Sequence, residues 1–187
     1  MIAGTAMVFV VAALHDERSA CRGLQVNKPL MLRLATPADT ESVTDVLFIS
    51  RETFLPFAKS PHSRQGFRSW VAEYLIPGGR VTVATVDHEI VGVLAVSEDQ
   101  GIGWIDQLYV HPDHVSVGVG SLLLQHAHAV LKHPIRLFTF QENMRARSFY
   151  ERHGYQPIRF SDGQDNEEKC PDVLYEWTGP TPISIQP

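Results

Sequence analysis

The sequence is poor in cysteine, has no cluster of basic residues, and has no apolar run as long as a membrane span. Its two cysteines, Cys21 and Cys170, form no metal-binding or redox pair, which argues against a disulfide framework and favours a reducing, cytoplasmic compartment. Lysine and arginine number 16 against 21 acidic residues, for a net charge of −5. We therefore expect neither nucleic acid nor a membrane as partner. No third ligand accompanies the histidines of His111–His114, so we expect no metal.

The first thirty residues differ from the rest of the chain. Ile2–Leu14 is apolar but too short to cross a bilayer, and it lacks the basic start and the cleavage site of a signal peptide. We predict that residues 1–30 are a disordered extension, that residues 31–178 form one domain, and that residues 179–187 are a flexible tail. A chain of 187 residues has room for one core of ordinary size and is too short for two.

Hydrophobic periodicity predicts strands and helices in alternation after Met31. A short strand at Leu32–Ala35 precedes a helix that starts with Thr36 as N-cap, and a second apolar stripe runs over Phe67–Leu75. Later strands and helices are predicted at Val81–Val86, Ile90–Ser97, Gly103–Val110, Gly118–Lys132, Ile135–Phe140, Met144–His153, Tyr155–Phe160 and Asp172–Trp177. A hairpin is predicted where Asp87-His88-Glu89 joins Val81–Val86 to Ile90–Ser97. It requires antiparallel pairing, and the two later strand–helix–strand crossings favour parallel neighbours. The fold class is therefore α/β, with one mixed central sheet flanked by helices.

The most informative segment is a strand, a turn with two glycines, and a helix. The strand ends at Val110, and Gly118 and Gly120 open an apolar helix. Glycine allows backbone amides to approach a ligand, and a helix start has unpaired N–H donors, so this turn suits a pyrophosphate. It lacks the lysine of a phosphate-binding loop, and Leu123 stands where a dinucleotide fingerprint has its third glycine. Three interpretations stay open: a coenzyme pyrophosphate site, a nucleotide site, and a tight turn that binds nothing.

A second motif follows, with Asn143, Ala146, Phe149-Tyr150-Glu151 and Gly154-Tyr155 on one capped helix and the strand after it. Together with Val110-His111-Pro112-Asp113-His114 and Gly118-Val119-Gly120-Ser121, it resembles the GNAT superfamily of N-acetyltransferases. The resemblance implies the GNAT acyl-CoA N-acyltransferase fold and acetyl-CoA as cosubstrate. It also implies direct transfer of the acetyl group to a primary amine of a small molecule, a peptide or a protein.

One departure from the family pattern concerns the turn. The family usually has Gln-Gly-Arg-Gly-x-Gly, with Lys in place of Arg in some members, whereas Val115-Ser116-Val117 precede Gly118 here. The missing cationic side chain removes a charge-assisted contact of about 1–2 kcal/mol to a pyrophosphate. Backbone donors do not depend on the side chain, so the departure bears on the affinity for coenzyme A more than on the presence of the site.

The resemblance also implies roles for individual residues. Tyr150 matches the family's general acid, with a core aromatic as the alternative, and Asp106 matches an acidic residue that acts on the amine, with a strand-edge carboxylate as the alternative. Asn143 is equally explained as an N-cap, and Arg147 as a solvated charge. Coenzyme binding is expected from Leu108, Tyr109, Val110, Ser116, Val117, Gly118, Val119, Gly120, Ser121, Asn143 and Arg147.

The acceptor is less well defined by the sequence. We expect substrate selectivity to come from Phe54–Tyr74, which includes His62, and from Ser161–Asp172. The alternative to an enzyme is a non-catalytic acyl-CoA-binding or regulatory module, which Val115-Ser116-Val117 motivates. The sequence leaves a homodimer open.

Overall fold

A computed structural model of the protein describes residues 29–179. The extension predicted over residues 1–28 and the tail predicted over residues 180–187 lie outside the described residues, and the boundaries of the domain stay predictions. Between residues 29 and 179, no helix has the length and apolarity needed to cross a membrane.

The described residues form seven strands and four α-helices in the predicted order. A 3-10 turn at Pro37–Asp39 leads into α1, and α2 continues as a π-helical turn over Val71–Leu75. The helices are α1 (Thr40–Phe54), α2 (Arg64–Trp70), α3 (Val119–Val130) and α4 (Met144–Arg152). The strands are β1 (Met31–Leu34), β2 (Val81–Val86), β3 (Glu89–Asp99), β4 (Ile102–Val110), β5 (Ile135–Phe140), β6 (Gln156–Ser161) and β7 (Asp172–Trp177).

The strands form one sheet in the order β1-β2-β3-β4-β5-β7-β6. β4 and β5 are parallel, and every other neighbouring pair is antiparallel, which confirms the predicted mixed sheet. One expectation about the neighbours is wrong. β5 and β6 are not adjacent, because β7 returns antiparallel to β6 and inserts between them.

Helices cover both faces of the sheet, as the α/β class requires. α1 and α2 cover one face, where Val43 and Leu47 of α1 pack on Val83 and Val93. α3 and α4 cover the other face. The buried stripe of α3 is Val119, Leu123, Leu124 and Ala127.

Close contact with β3 fixes the start of α3. A Cβ atom on Gly92 would lie 2.7 Å from Cγ1 of Val119 and 2.9 Å from Cδ1 of Leu123. A side chain at Gly92 would therefore push the helix away from the sheet. This close packing places the first turn of α3 directly beside the end of β4.

Local capping fixes the start and the end of α4. The Oδ1 atom of Asn143 accepts a hydrogen bond from the backbone amide of Ala146 at 3.1 Å, and Gly154 has a φ of 85° after the last turn. The backbone amide of Tyr155 donates to the carbonyl of Tyr150 at 3.0 Å. The predicted N-cap and terminal glycine are thus both present.

Candidate active site

The parallel pair β4 and β5 opens into a gap. Their pairing is confined to Gly103 with Ile135 and Trp104 with Arg136, although the strands continue to Val110 and Phe140. Along the rest of this edge, no strand of the described chain pairs with β4. An extended ligand chain could add to such an edge as a further strand, which is the role expected for the backbone of Leu108, Tyr109 and Val110.

A β-bulge at Asp106 changes the direction of the side chains on β4. Ile105 and Gln107 oppose consecutive residues of β3, so Asp106 is the extra residue. As a result Ile105 and Leu108, three residues apart, both face the layer of α3 and α4. Asp106 therefore interrupts the two-residue alternation of side chains that an unbroken strand would have.

The carboxyl group of Asp106 is largely buried and has one hydrogen-bonding neighbour on β3. The hydroxyl of Ser97 donates to its Oδ1 atom at 2.9 Å. Burial raises the pKa of Asp106 to about 6, against opposing effects of the Ser97 bond and the nearby charge of Arg80. Above that pH the group is ionised yet retains useful affinity for a proton, as a general base requires.

Asp106 lines a cleft of about 500 Å³ on the α2 face of the sheet. We call this the acceptor cleft. Trp104 and Phe138 form part of its wall, with their rings stacked at 5.9 Å between centroids and 13° between planes. Of the expected selectivity segments, Phe54–Tyr74 contributes Trp70 and Tyr74. The cleft is lined by Trp70, Tyr74, Leu75, Gly78, Arg80, Val81, Ala95, Val96, Ser97, Asp99, Trp104, Asp106, Gln107 and Phe138.

A second cleft, of about 280 Å³, lies on the opposite face between the glycine turn and α4. We call this the turn cleft. Gly118 adopts a φ of 93°, a left-handed conformation that favours glycine. The turn cleft is lined by Val110, Val115, Ser116, Gly118, Gly120, Ser121, Phe149, Arg152 and His153.

The first turn of α3 presents amide donors at this cleft. The N–H groups of Val119, Gly120 and Ser121 come too early in the helix to reach an intrahelical carbonyl. Throughout residues 29–179, no backbone carbonyl accepts a hydrogen bond from them. The positive end of the helix dipole adds to their attraction for an anion. The first turn therefore has the free donors that an anion site needs, and its binding of an anion stays a prediction. Val117 is 67% exposed, and neither Val117 nor Val119 is among the residues that line the cleft.

The sequence reasoning missed two side chains that line the turn cleft and could contact an anion. Arg152 and His153, at the end of α4, both line it, and the Nε2 atom of His153 lies 3.3 Å from the hydroxyl of Ser121. The sequence did contain a signal for Arg152. Arg152 lies three residues after Phe149 on a helix, so the two share a face. In the structure this face meets the turn, because the Phe149 ring lies 3.6 Å from the position that a Cβ of Gly120 would occupy.

Tyr150 is fully buried and lines neither of these two clefts. Its hydroxyl has no hydrogen-bond partner within the described range, and the same is true of the Thr139 hydroxyl on β5. Thr139 is two residues from Leu137, so both face the layer that contains Tyr150. A buried hydroxyl without a partner costs about 1–3 kcal/mol. Burial, followed by Tyr155 and Tyr109, raises the pKa of Tyr150 well above its ordinary value, which keeps the phenol protonated.

Other expected coenzyme residues contact the protein itself. Asn143 caps α4 through Oδ1. Arg147 donates to the hydroxyl of Tyr175 and to the carbonyl of Gln141, each at 3.2 Å, and is absent from the lining of the turn cleft. The side chain of Tyr109 is buried towards α1, where its hydroxyl accepts from Arg51 at 3.3 Å. Of these residues, Tyr109 offers a ligand only its backbone.

The second expected selectivity segment, Ser161–Asp172, does not line the acceptor cleft. Its Glu168 instead forms a buried ion pair with Arg51 of α1, at 2.7 Å. His62 is exposed and lies 3.0 Å from Glu167 of the same segment, also outside that cleft. The Arg51–Glu168 pair holds the segment against α1, and the segment contributes no residue to the lining of the acceptor cleft.

Comparison with known proteins bears on the family resemblance and on the fold. Residues 77–157 match the family model described as an acetyltransferase (GNAT) domain, and the resemblance stated from the motifs is confirmed. That segment contains both glycines of the turn, the bulge of β4 and all of α4. Among curated proteins, none matches the chain by sequence.

Solved structures show the same fold at low sequence identity. Ard1 of Thermoplasma volcanium has 18% identity, with 81% of this chain and 99% of that chain covered and a TM-score of 0.65. PaiA N-acetyltransferase of Thermoplasma acidophilum, in complex with coenzyme A, has 17% identity, coverages of 81% and 99%, and a TM-score of 0.66. Apo YjaB of Escherichia coli has 21% identity, coverages of 81% and 99%, and a TM-score of 0.66. The fold is that of the GNAT acetyltransferases.

Proposed function

We propose that this chain, whose residues 77–157 match a GNAT acetyltransferase domain, transfers an acetyl group from acetyl-CoA to a primary amine of a small molecule or peptide. The observation that carries the proposal is the position of the two clefts. They lie on opposite faces of the sheet, and both border β4 where it has no partner on the β5 side. A coenzyme held at one face could therefore present its thioester to an amine at the other.

The residues of the turn cleft fit the diphosphate of coenzyme A. Amides of Val119, Gly120 and Ser121 would donate to its oxygens, and the helix dipole favours the negative charge. Arg152 would supply the cation that the turn itself lacks. A charge-assisted hydrogen bond of this kind contributes about 1.5–3 kcal/mol when well formed. A similar fold in complex with coenzyme A is the PaiA structure, which supports the assignment.

The unpaired hydroxyls of Tyr150 and Thr139 would suit a ligand that reached between β4 and β5 on the side of α3 and α4. Both are buried without a partner in the described part of the chain, and a ligand with acceptor atoms there would relieve that cost. Coenzyme A, when acetylated, supplies an activated thioester. The hydroxyl of Tyr150 would donate a proton to the departing thiolate, as the family resemblance implies.

Asp106 would act on the amine. An aliphatic amine is mostly protonated near neutral pH and cannot attack until it loses a proton. Asp106 borders the acceptor cleft, and burial raises its pKa to about 6. It would therefore take that proton, either directly or through a water molecule. Direct transfer then needs no covalent enzyme intermediate, and we assign no nucleophile.

A second candidate function is a non-catalytic acyl-CoA-binding or regulatory module. Two observations favour it: Val115-Ser116-Val117 replace the cationic part of the family turn, and Tyr150 lines neither cleft. A cytoplasmic location and a homodimer stay predictions from the sequence.

Calorimetry with coenzyme A, together with thiol release from acetyl-CoA in the presence of a panel of amines, separates the two functions. The proposal predicts binding of coenzyme A and a product heavier by one acetyl group. Binding without turnover of any amine would favour the regulatory module. Failure of both binding and turnover would overturn the assignment to acetyl transfer. Asp106→Asn serves as the matched control, because it should bind coenzyme A as the native chain does and transfer more slowly.

A further inference from the structure

The acceptor cleft has four aromatic side chains in its wall. Trp70 and Tyr74 are four residues apart on the helical segment above the sheet, so they share one face. Trp104 and Phe138 lie on β4 and β5 with nearly parallel rings, 5.9 Å apart. All four side chains line the same space. Tyr74 is 68% exposed, so much of its ring is available to a ligand.

The charged groups of the cleft are few and of both signs. Asp106 is largely buried, whereas Asp99 and Arg80 lie at the exposed margin. Two carboxylates against one guanidinium favour a singly charged ammonium. Acceptors with many hydroxyl or ammonium groups would leave most of those groups without partners against the apolar wall, which costs free energy for each one.

The spacing along β4 sets the distance between a residue that could stack on an aromatic ring of a ligand, Trp104, and a residue that could bind its ammonium group, Asp106. Trp104 and Asp106 are two residues apart on the strand and border the same cleft, so their Cα atoms are about 6 Å apart. If a ligand stacked its aromatic ring on Trp104 and placed its ammonium group at Asp106, the two groups would be a similar distance apart. A linker of two or three carbon atoms between ring and nitrogen spans that distance. A cleft of about 500 Å³ has the size of a small-molecule site.

From this arrangement, and resting on the proposed acetyl transfer, we infer that the acceptors are arylalkylamines: primary monoamines with an aromatic ring two or three carbons from the nitrogen. The ring lies between the aromatic side chains of the helical segment and those of the sheet. The ammonium faces Asp106. Asp106 takes one proton from the ammonium, and the resulting amine attacks the thioester carbon of acetyl-CoA. The C–N bond forms and the C–S bond breaks. The departing thiolate takes a proton from the Tyr150 hydroxyl and leaves as free coenzyme A, and the second proton lost by the nitrogen restores that hydroxyl.

The test compares kcat/KM for a matched series of amines. Benzylamine, 2-phenylethylamine and 3-phenylpropylamine vary the linker, and n-butylamine and putrescine lack the ring. We expect 2-phenylethylamine or 3-phenylpropylamine to exceed n-butylamine by roughly ten- to a hundredfold, as aromatic contacts plus burial of a ring predict. Tyr74→Ala and Trp104→Leu should reduce that ratio, whereas Phe160→Ala should preserve it, because Phe160 is an exposed aromatic residue on β6 outside the cleft.

Binding is also measured without turnover, by quenching of tryptophan fluorescence on addition of 2-phenylethylamine to the chain saturated with coenzyme A. Saturable quenching that Trp104→Leu weakens supports the inference even if transfer is slow. If amines are acetylated but those with an aromatic ring have no higher kcat/KM than n-butylamine, the inference fails and the proposed acetyl transfer is retained. If no arylalkylamine quenches the fluorescence or is acetylated while coenzyme A binds, the inference also fails. If coenzyme A itself does not bind, the proposed acetyl transfer, on which the inference rests, would be refuted instead.

Discussion

Replacing Asp106 with Asn should stabilise the protein and slow the reaction at the same time. Burial raises the pKa of Asp106 from 3.8 to about 6, so the native state holds the proton more tightly than the unfolded chain does. Ionising the carboxyl at neutral pH therefore costs native stability. At about 1.4 kcal/mol for each pKa unit, the cost is about 3 kcal/mol as an upper value. Asn has no charge to desolvate and can still accept the hydrogen bond from Ser97.

The direction in which stability changes with pH follows from this difference in pKa between the native and the unfolded state. When the native pKa of a carboxyl is raised, its protonated form stabilises the native state at pH values below the unfolded pKa. That stabilisation is lost as the pH rises through the native pKa. The advantage of Asp106→Asn should thus be largest at pH 8 and should shrink by about 2 kcal/mol by pH 4.5. Arg80, Ser97 and Asp99, which line the same cleft, remain unchanged in the variant.

The assay is denaturant unfolding of the native chain and Asp106→Asn at pH 8 and pH 4.5, with transfer rates measured alongside. We expect a gain of about 1–3 kcal/mol at pH 8 and a loss of kcat of roughly a hundred- to ten-thousandfold. Ser97→Ala is the matched control, because it removes the hydrogen bond and keeps the charge. Equal destabilisation of Asp106→Asn at both pH values would refute the reasoning from desolvation.

Four further predictions concern the turn, α4 and the margin of the acceptor cleft. Gly120→Ala should weaken coenzyme A binding by roughly tenfold or more in calorimetry, because the new Cβ occupies the approach to the amides. The melting temperature should be unchanged, because that Cβ meets nothing nearer than 3.6 Å; normal binding of coenzyme A would contradict the prediction. Arg152→Gln should raise the Kd for coenzyme A roughly ten- to a hundredfold, whereas Arg145→Gln, outside the turn cleft, should not. Tyr150→Phe should lower kcat by roughly ten- to a thousandfold with little change in Kd, and removal of the unpartnered hydroxyl should raise the unfolding free energy by about 1 kcal/mol; an unchanged rate would remove the phenol from the mechanism. Arg80→Gln should move the rising limb of the pH–rate profile upward by a few tenths of a unit, since its charge lowers the pKa of Asp106, and a downward movement would contradict that assignment.

Much of the fold could be predicted from local patterns. The ends of β2, β5 and β7 agree with the β-branched and aromatic runs, and Asn143 caps α4 as its position indicated. The insertion of β7 between β5 and β6 could not be predicted, since strand order depends on long-range pairing that periodicity does not contain.

The candidate site was predicted less completely, for two physical reasons. The bulge at Asp106 breaks the two-residue period of β4, and one extra residue reverses the side-chain directions beyond it. In addition, the role of a long charged side chain depends on what surrounds it. Arg147 is engaged by Tyr175 and Gln141, whereas Arg152 lines the turn cleft. Arg152 shares a helix face with Phe149, but the sequence does not show that this face meets the turn.

The central claim is that the first-turn amides of α3 bind the diphosphate of coenzyme A. Its most direct test is an amide nitrogen–proton correlation spectrum of the labelled chain, recorded as coenzyme A is added. We predict that the resonances of Gly118, Gly120 and Ser121 shift saturably while those of the exposed strand β6 stay in place. Unchanged resonances at these three residues, at concentrations where calorimetry detects binding, would contradict the claim.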